Sequence, residues 1–208
     1  MHAPRSLAAA RREGGTIRQA ARVVVVPEAL WKVFTGLESP ARIGFLMPLS
    51  GEQALAGEVL PGVPTVVLDR LQDAGNVGSI LRSAAALGVG QVLALKGTAA
   101  LWSPKVLRAG MGAHFGLNLV EQLSLEDLAG LGMPLVATSS HTENELHTVK
   151  LPEPCAWVMG HEGQGVSDEL MARCALSVRI PQPGGEESLN VAAATAICLY
   201  ESLRRRLA

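Results

Sequence analysis

The chain has 208 residues, of which 48% are apolar, 3% aromatic and 18% charged. This composition excludes a disordered tail protein, a collagen-like repeat and a disulfide-stapled mini-protein. Because no run of about 18 apolar residues and no signal-peptide pattern occurs, we expect a cytoplasmic protein with no membrane partner. The three cysteines lack CxxC spacing, so we expect buried thiols and no metal site.

The charge gives no sign of a nucleic-acid partner. The 18 basic and 19 acidic residues give a net charge of -1, whereas proteins that bind phosphate backbones usually carry a basic excess. The basic run Arg204–Arg206 also suits the end of a helix, where cations are favourable. Charge alone therefore argues mildly against RNA or DNA.

The front of the chain is expected to form a small separate unit. The first 21 residues are expected to be a tail or the incomplete start of this unit. The runs Arg22–Val26 and Ile43–Met47, with a helical stretch over Glu28–Phe34, then indicate a small α/β domain. Two prolines and two glycines in Gly57–Pro64 are typical of a linker, which places the boundary near Gly62.

From Pro64 onward, β-branched runs alternate with helical patterns, which predicts an α/β domain with a mostly parallel sheet. The predicted strands are Thr65–Asp69, Gln91–Leu95, Gly116–Val120, Pro134–Ser139, Ala156–Met159 and Ser177–Ile180. The predicted helices are Val77–Leu87, Pro104–Ala109, Ser124–Leu131, Ser167–Cys174 and Leu189–Arg206. The spacing of apolar residues in the last helix predicts one buried face. That face would carry Val191, Ala194, Ile197, Cys198 and Leu203.

The first segment with chemical potential follows the first of these strands. Gly75 and Gly78 permit a tight turn from strand to helix, and Asn76 is placed to cap the helix. Arg82 then lies less than two turns into the helix, near its ligand-facing end. Taken alone, the segment also fits a capped helix with a surface arginine.

The second segment is a glycine-rich loop after the strand Ala156–Met159. Gly160, Gly163 and Gly165 let backbone groups approach a ligand closely, and Glu162 supplies the charge. The loop lacks the order of the GxGxxG dinucleotide fingerprint and the Lys-Ser/Thr of a phosphate-binding Walker loop. On its own it also fits a structural turn.

The third segment leads from the last strand into the last helix. Ser188 and Asn190 stand where helix caps are expected, so capping alone would explain them. All three segments, however, follow predicted strands of one parallel sheet, at the edge where such sheets bind ligands. This shared position favours a functional site.

Together the segments resemble the three motifs of the TrmH/SpoU branch of the SPOUT RNA methyltransferases. The matching strings are Asn76-x-Gly78-x-Ile80-x-Arg82, Gly160-x-Glu162-x-x-Gly165 and Ile180-Pro through Ser188-Leu-Asn190. The resemblance spans about Pro64 to Arg206. Residues 22–62 resemble the later part of a ribosomal-protein-like RNA-binding domain whose front is short. The sequence departs from the family pattern at three positions. A small residue is usual in place of His161, Met is common in place of Gln182, and Ser is common in place of Gly110.

The resemblance implies a fold and a cofactor. Residues 63–208 would form a SPOUT domain with a C-terminal trefoil knot, working as a homodimer. S-adenosylmethionine would bind in the knot. The residues expected to bind it are Thr138, Ser139, Gly160, Ile180, Ser188 and Leu189. The reaction would be methyl transfer to a ribose 2'-hydroxyl in RNA.

The resemblance also implies roles for the catalytic residues. Arg82 would lie at the hydroxyl, Glu162 would orient an arginine, and Asn76, Ser188 and Asn190 would hold the target nucleotide and the methyl donor. An arginine pKa of about 12.5–13.8 makes deprotonation at neutral pH cost roughly 8 kcal/mol. We therefore expect Arg82 to bind the neighbouring phosphate and to stabilise the developing alkoxide rather than to act as the base.

Several alternatives remain open at this point. Ribosomal RNA is favoured over transfer RNA because the front domain resembles one that is common in enzymes acting on ribosomal RNA. A non-catalytic RNA-binding or assembly protein on the same fold is a further alternative. A Rossmann-type enzyme is disfavoured because its fingerprint does not follow the strand Thr65–Asp69.

Overall fold

We describe the chain from a computed structural model, which covers residues 22–35, 41–46, 58–184 and 188–207. By its internal contacts the chain divides into two compact units, Met1–Pro48 and Leu49–Ala208. In the described residues, no helix is long and apolar enough to cross a membrane.

The first unit shows one helix, α1 (Glu28–Thr35), and no strand among its described residues. The runs Arg22–Val26 and Ile43–Met47 were expected to contribute β-structure. Met47 lies outside the described residues, and within them neither run pairs with another strand. Trp31 ties the helix to the following segment, because its Nε1 donates to the carbonyl of Ala41 at 2.6 Å. The expected tail over residues 1–21 lies outside the described residues.

Residues 58–62 belong to the second unit, which begins at Leu49, whereas the sequence predicted a boundary near Gly62. The side chain of buried Gln91 accepts from the amide of Leu60 at 3.0 Å and donates to its carbonyl at 2.7 Å. Gly62 donates its amide to the carbonyl of Leu131 at 3.0 Å. The buried carboxamide needs these backbone partners, which explains why this stretch is attached rather than free as a linker.

The second unit contains a six-stranded, fully parallel sheet in the order β3-β2-β1-β5-β4-β6. The strands are β1 (Thr65–Leu68), β2 (Gln91–Leu95), β3 (Asn118–Leu123), β4 (Leu135–Thr138), β5 (Ala156–Met159) and β6 (Leu176–Val178). The α-helices are α2 (Ala74–Ala86), α3 (Pro104–Gly110), α4 (Asp168–Met171) and α5 (Val191–Leu207). The predicted α/β class and its parallel sheet are confirmed.

Short 3-10 helices account for two differences from the predicted elements. Ala113–Gly116 forms one of them, which delays the start of β3 to Asn118. Glu126–Leu131 forms the other, in place of the predicted α-helix over Ser124–Leu131.

The core lies on both faces of the sheet, because successive side chains of a strand point to opposite sides. Val66 and Leu68 of β1 pack with α2 and α5. Val67 packs on the opposite side, with α4 and the second 3-10 helix. The central strands are buried on both faces, which explains their uninterrupted apolar runs.

Helix α5 buries only part of the face that its apolar spacing predicts. Cys198 is buried and Val191 packs against the core as expected, whereas Ile197 is not buried. Its buried residues are Thr195, Cys198 and Leu199, and Ile197 is 41% exposed. At 100° per residue, Ile197 lies on the side of the helix opposite to these three. The prediction for Ile197 was wrong because α5 carries apolar side chains on two faces.

Candidate active site

The predicted site residues follow four strands that are neighbours in the sheet, in the order β1, β5, β4 and β6. Since the strands are parallel, their carboxyl ends meet at one edge. Thr138 ends β4, Gly160 follows β5 directly, and Ile180 lies two residues beyond β6. Asn76 lies in the first turn of α2, the helix after β1. The edge is the one where open α/β sheets bind ligands.

Helix α2 begins earlier than predicted, and Asp73 rather than Asn76 caps it. The Asp73 carboxylate accepts the amide of Asn76 at 2.7 Å, which satisfies one of the free amides at the helix start. The side chain of Asn76 is therefore free to make contacts outside the helix.

The role of Gly78 is to let α2 pack closely against α3, and not to form a turn. It lies inside α2, and a Cβ built there would come within 2.8 Å of the Val106 carbonyl oxygen and the Gly110 amide nitrogen of α3. Gly75 also lies inside α2. The expectation that these two glycines form the strand-to-helix turn was wrong, because the helix starts before both.

A chain of side-chain hydrogen bonds joins the three sequence motifs. Asn76 Nδ2 donates to Glu162 Oε1 at 3.3 Å, and Asn190 Nδ2 donates to Asn76 Oδ1 at 2.9 Å. Asn190 Oδ1 in turn accepts the amides of Ala192 and Ala193 at the start of α5. Residues that are 86 and 114 positions apart in the sequence thus form one polar cluster.

The Glu162 carboxylate of this cluster is held by amides. It accepts the backbone N–H groups of Asp73 at 3.2 Å and Gln72 at 3.4 Å, in addition to Asn76. Partial burial raises its pKa, but its own backbone amide and these donors outweigh that effect and lower the pKa. Glu162 is therefore an anion at neutral pH. The arginine partner expected for it is not among its contacts in the described residues.

Arg82 stands apart from this cluster. It is exposed on α2 and makes no hydrogen bond or ion pair with any described residue. Six residues separate it from Asn76, which corresponds to about 9 Å along the helix and about 240° around it. The structure therefore does not bring Arg82 into contact with Glu162 or Asn190.

The residues expected to bind the cofactor lie around the ends of β5, β4 and β6. A Cβ at Gly160 would overlap the backbone of Gly165, so only glycine fits there. The Ser139 amide donates to the Val178 carbonyl at 2.9 Å, which joins the ends of β4 and β6. Ile180 is half-buried against the core. Thr138 is half-buried, and Ser188 and Leu189 are exposed in the stretch before α5.

Sequence reasoning missed two residues at the carboxyl end of β1. Asp69 is 2% exposed and accepts the Ser167 amide at 2.7 Å. Arg70 has a positive φ of 59° and donates to the side chain of Gln164 at 3.0 Å. The signal in the sequence was an Asp-Arg pair directly after a buried strand. A non-glycine residue in this backbone region indicates a position that its surroundings strongly constrain.

Comparison with known proteins decides the family. A sequence profile of the SpoU rRNA methylase family matches residues 64–200, which is more than half of the chain. The chain belongs to the SpoU rRNA methylase family. The motif resemblance is thereby confirmed, and the SpoU match covers the whole sheet and most of α5.

Individual SpoU relatives agree with this assignment. The 23S rRNA (guanosine-2'-O-)-methyltransferase RlmB of Pseudomonas syringae pv. tomato is 37% identical over 147 residues, 69% of this chain and 59% of that protein. The 23S rRNA (guanosine(2553)-2'-O)-methyltransferase RlmP of Bacillus subtilis is 31% identical over 180 residues, 85% of this chain and 70% of that protein. The chain spans 54–59% of the length of several such relatives.

A solved rRNA methyltransferase structure aligns with nearly the whole chain. The AdoMet-bound rRNA methyltransferase of Sinorhizobium meliloti aligns with a TM-score of 0.77 and 28% identity. The alignment covers 96% of this chain and 78% of that one.

Proposed function

We propose that the chain is an S-adenosylmethionine-dependent RNA methyltransferase that modifies a ribose 2'-hydroxyl, with ribosomal RNA as the substrate. The observation that carries the proposal is the hydrogen-bonded chain from Glu162 through Asn76 to Asn190. It joins the three family motifs at the ligand-binding edge of the sheet. The names of the relatives, which describe rRNA 2'-O-methyltransferases, support the choice of substrate.

The residues at the ends of β4, β5 and β6 fit S-adenosylmethionine. Gly160, Ile180 and Leu189 would bind it largely through backbone groups, with Thr138, Ser139 and Ser188 at the rim. The buried side-chain oxygen of Gln182, two residues after Ile180, has no hydrogen-bond partner among the described residues. A buried acceptor of this kind suits a ligand with N–H groups. When bound, S-adenosylmethionine supplies an electrophilic methyl group on a sulfonium.

Arg82 would act on the RNA. Its guanidinium is exposed and uncommitted among the described residues, so it is available to a phosphate beside the target ribose. From there it would stabilise the alkoxide that develops at the 2'-oxygen, while the hydroxyl proton leaves to the phosphate or to water. The planar guanidinium contacts two oxygens at once, which a lysine cannot reproduce.

The two asparagines would orient the substrate. The anionic carboxylate of Glu162 accepts from Asn76 Nδ2, and Asn76 Oδ1 then accepts from Asn190. This order fixes both carboxamides in one orientation before substrate arrives. Such preorganisation helps to align the reactants, and alignment lowers the barrier of a bimolecular transfer.

Homodimer formation is part of the proposal. The face of α5 that points away from its own sheet carries Ala193, Ile197 and Tyr200, spaced at i, i+4 and i+7. Tyr200 is 58% exposed, which is unusual for a large side chain on an apolar stripe. A second copy of the chain would cover this stripe. The trefoil knot in the C-terminal part is likewise proposed from the family.

Transfer of labelled methyl groups from S-adenosylmethionine to unmodified RNA tests the proposal. We expect incorporation into ribosomal RNA with resistance of one phosphodiester to alkali, which marks a 2'-O-methyl group. Arg82→Ala should abolish turnover and leave cofactor affinity nearly unchanged, and Arg82→Lys should recover little. Arg173→Ala serves as the control, because Arg173 is bound to Glu126.

The same assay separates the alternatives. Incorporation into transfer RNA alone would overturn the substrate assignment. Tight cofactor binding without incorporation into any RNA would indicate a non-catalytic RNA-binding protein on this fold. Equal loss of cofactor binding and turnover in Arg82→Ala would contradict the division of roles.

A further inference from the structure

We propose that His161 is a positioning residue for the methyl transfer: its unprotonated Nδ1 shapes the turn that presents Glu162 to Asn76. The inference rests on the proposed function and deepens it. His161 occupies a position where the family resemblance leads us to expect a small residue.

The turn Gly160–Gly165 is closed by backbone bonds at its base. The His161 amide donates to the Gly165 carbonyl at 3.0 Å, and the Gly165 amide donates to the His161 carbonyl at 2.8 Å. These two bonds fix the ends of the turn and leave the amides at its tip without backbone partners. Glu162 leaves the turn from this tip.

The imidazole of His161 satisfies the amides at the tip. Its Nδ1 accepts the amide of Gly163 at 3.0 Å and that of Gln164 at 3.2 Å. A ring nitrogen accepts only through a free lone pair, so the proton must lie on Nε2. Because Nδ1 is occupied by two donors, it is not available to take the proton of a substrate hydroxyl. The contacts therefore assign His161 a positioning role and not that of a general base.

Arg70 anchors the far side of the same turn. Its Nη1 donates to Gln164 Oε1 at 3.0 Å, and its Nε donates to Asp69 Oδ1 at 3.0 Å. Asp69 is buried and also binds the Ser167 amide just beyond the turn. The turn is thus tied to the sheet through Arg70, while His161 organises its interior.

The consequence for Glu162 follows from its own hydrogen bonds. Its carboxylate reaches three donors on the segment 72–76 at 3.2–3.4 Å, which are long for charge-assisted bonds. A shift of the turn by about 1 Å would break them. Misplacement of a positioning group by about 1 Å costs on the order of 100-fold in rate.

The test uses three substitutions in the full chain. His161→Asn keeps an acceptor in the position of Nδ1, because Oδ1 and Nδ1 are both two bonds from Cβ. His161→Gln moves the acceptor one bond further away, and His161→Ala removes it. We expect His161→Ala and His161→Gln to lower kcat about 10–100-fold, with KM for RNA and the Kd of S-adenosylmethionine changed less than about 3-fold. His161→Asn should keep kcat within about 3-fold of the wild type.

Two kinetic results would overturn the inference. Wild-type kcat in His161→Ala would mean that the turn does not need the ring. A kcat of His161→Asn as low as that of His161→Ala would mean that the acceptor is not what the reaction requires.

Amide hydrogen exchange tests the geometry without relying on activity. Exchange of the Gly163 and Gln164 amides should be faster in His161→Ala and near wild type in His161→Asn. Unchanged exchange in His161→Ala refutes the inference regardless of activity. If wild type transfers no methyl group while exchange responds as expected, the proposed function has failed and the role of His161 in methyl transfer is refuted with it.

Discussion

The charge of Glu162 makes the stability of the folded chain depend on pH. The pKa of Glu162 is lowered in the folded chain, because amide donors outweigh the effect of its partial burial. A carboxyl with a lowered pKa stabilises the fold above its unfolded pKa of about 4.3, and this contribution is lost as pH falls through the folded value.

Glu162→Gln should therefore lower Tm at neutral pH and leave it nearly unchanged in acid. We expect a difference from wild type of about 2–4 °C above pH 5, shrinking as the pH falls below 4. Thermal unfolding between pH 3 and pH 7 measures it. Glu143→Gln is the control, since Glu143 is exposed and unpaired among the described residues. A difference that does not depend on pH would contradict the assignment of charge.

The cysteines are predicted to be unreactive in the folded chain. Burial raises the pKa of Cys155 to about 11 and that of Cys174 to about 11, and Cys198 is fully buried. At pH 7.5 their thiolate fraction is more than about 100-fold below that of a free thiol with a pKa of about 8.5. Titration with a thiol reagent should show three slow groups that react quickly once the chain is unfolded. One fast thiol in the native chain would contradict this.

At the scale of elements, α2 packs closely on α3 because Gly78 lacks a side chain. Gly78→Ala should destabilise the chain by about 1–3 kcal/mol, since its Cβ would press on backbone atoms of α3. Chemical denaturation measures the change. Gly116→Ala is the matched control, because a Cβ at Gly116 meets no atom within 4 Å. Equal stability of the two variants would show that the helices can separate at little cost.

Helix α5 is held near its end by a carboxylate between two arginines. Hydrogen bonds from Arg204 and Arg205 to Glu201 lower the pKa of Glu201 to about 2 despite its burial. Arg205 also donates to the carbonyls of Val149 and Leu146, which links α5 to the connection between β4 and β5.

Glu201→Gln should destabilise the chain by about 1–2 kcal/mol at pH 7, a modest value because Arg204 is half exposed. The lowered pKa means that this difference is present above about pH 4.5 and is lost as pH falls towards 2. Urea denaturation at pH 7 and pH 3 checks it, with Glu169→Gln as the control. A difference at pH 3 as large as that at pH 7 would contradict the ion pair as its cause.

At the scale of the whole molecule, the sequence predicts the sheet well because β1, β2, β4 and β5 are mostly apolar, buried runs. The start of β3, which is more polar, is predicted less well. The sequence also predicts the ends of helices less well. Asp73 and Asn76 are both good N-cap residues, and only the backbone conformation shows which of them caps α2. Asn76, Glu162 and Asn190 were expected at one edge. Their mutual contacts were not, because the residues lie on three separate segments whose relative placement periodicity does not determine.

Oligomeric state is the property of the molecule that the α5 stripe predicts. Ile197→Glu and Tyr200→Glu should each convert a homodimer into monomers, because a charge on a covered apolar face is costly. Sedimentation or light scattering measures the mass. Ala172→Glu, on an exposed residue at the end of α4, is the control. A monomeric wild type would refute the proposed dimer.

The hydrogen bonds between Leu60 and Gln91 determine where a truncated fragment of the chain can begin. A fragment that starts at residue 63 would leave the buried carboxamide of Gln91 without its backbone donor and acceptor, at a cost of about 1–3 kcal/mol for each unmet group. Asn118 would also lose the carbonyl of Glu58, to which it donates at 3.0 Å. An expression fragment of the second unit therefore has to include Glu58.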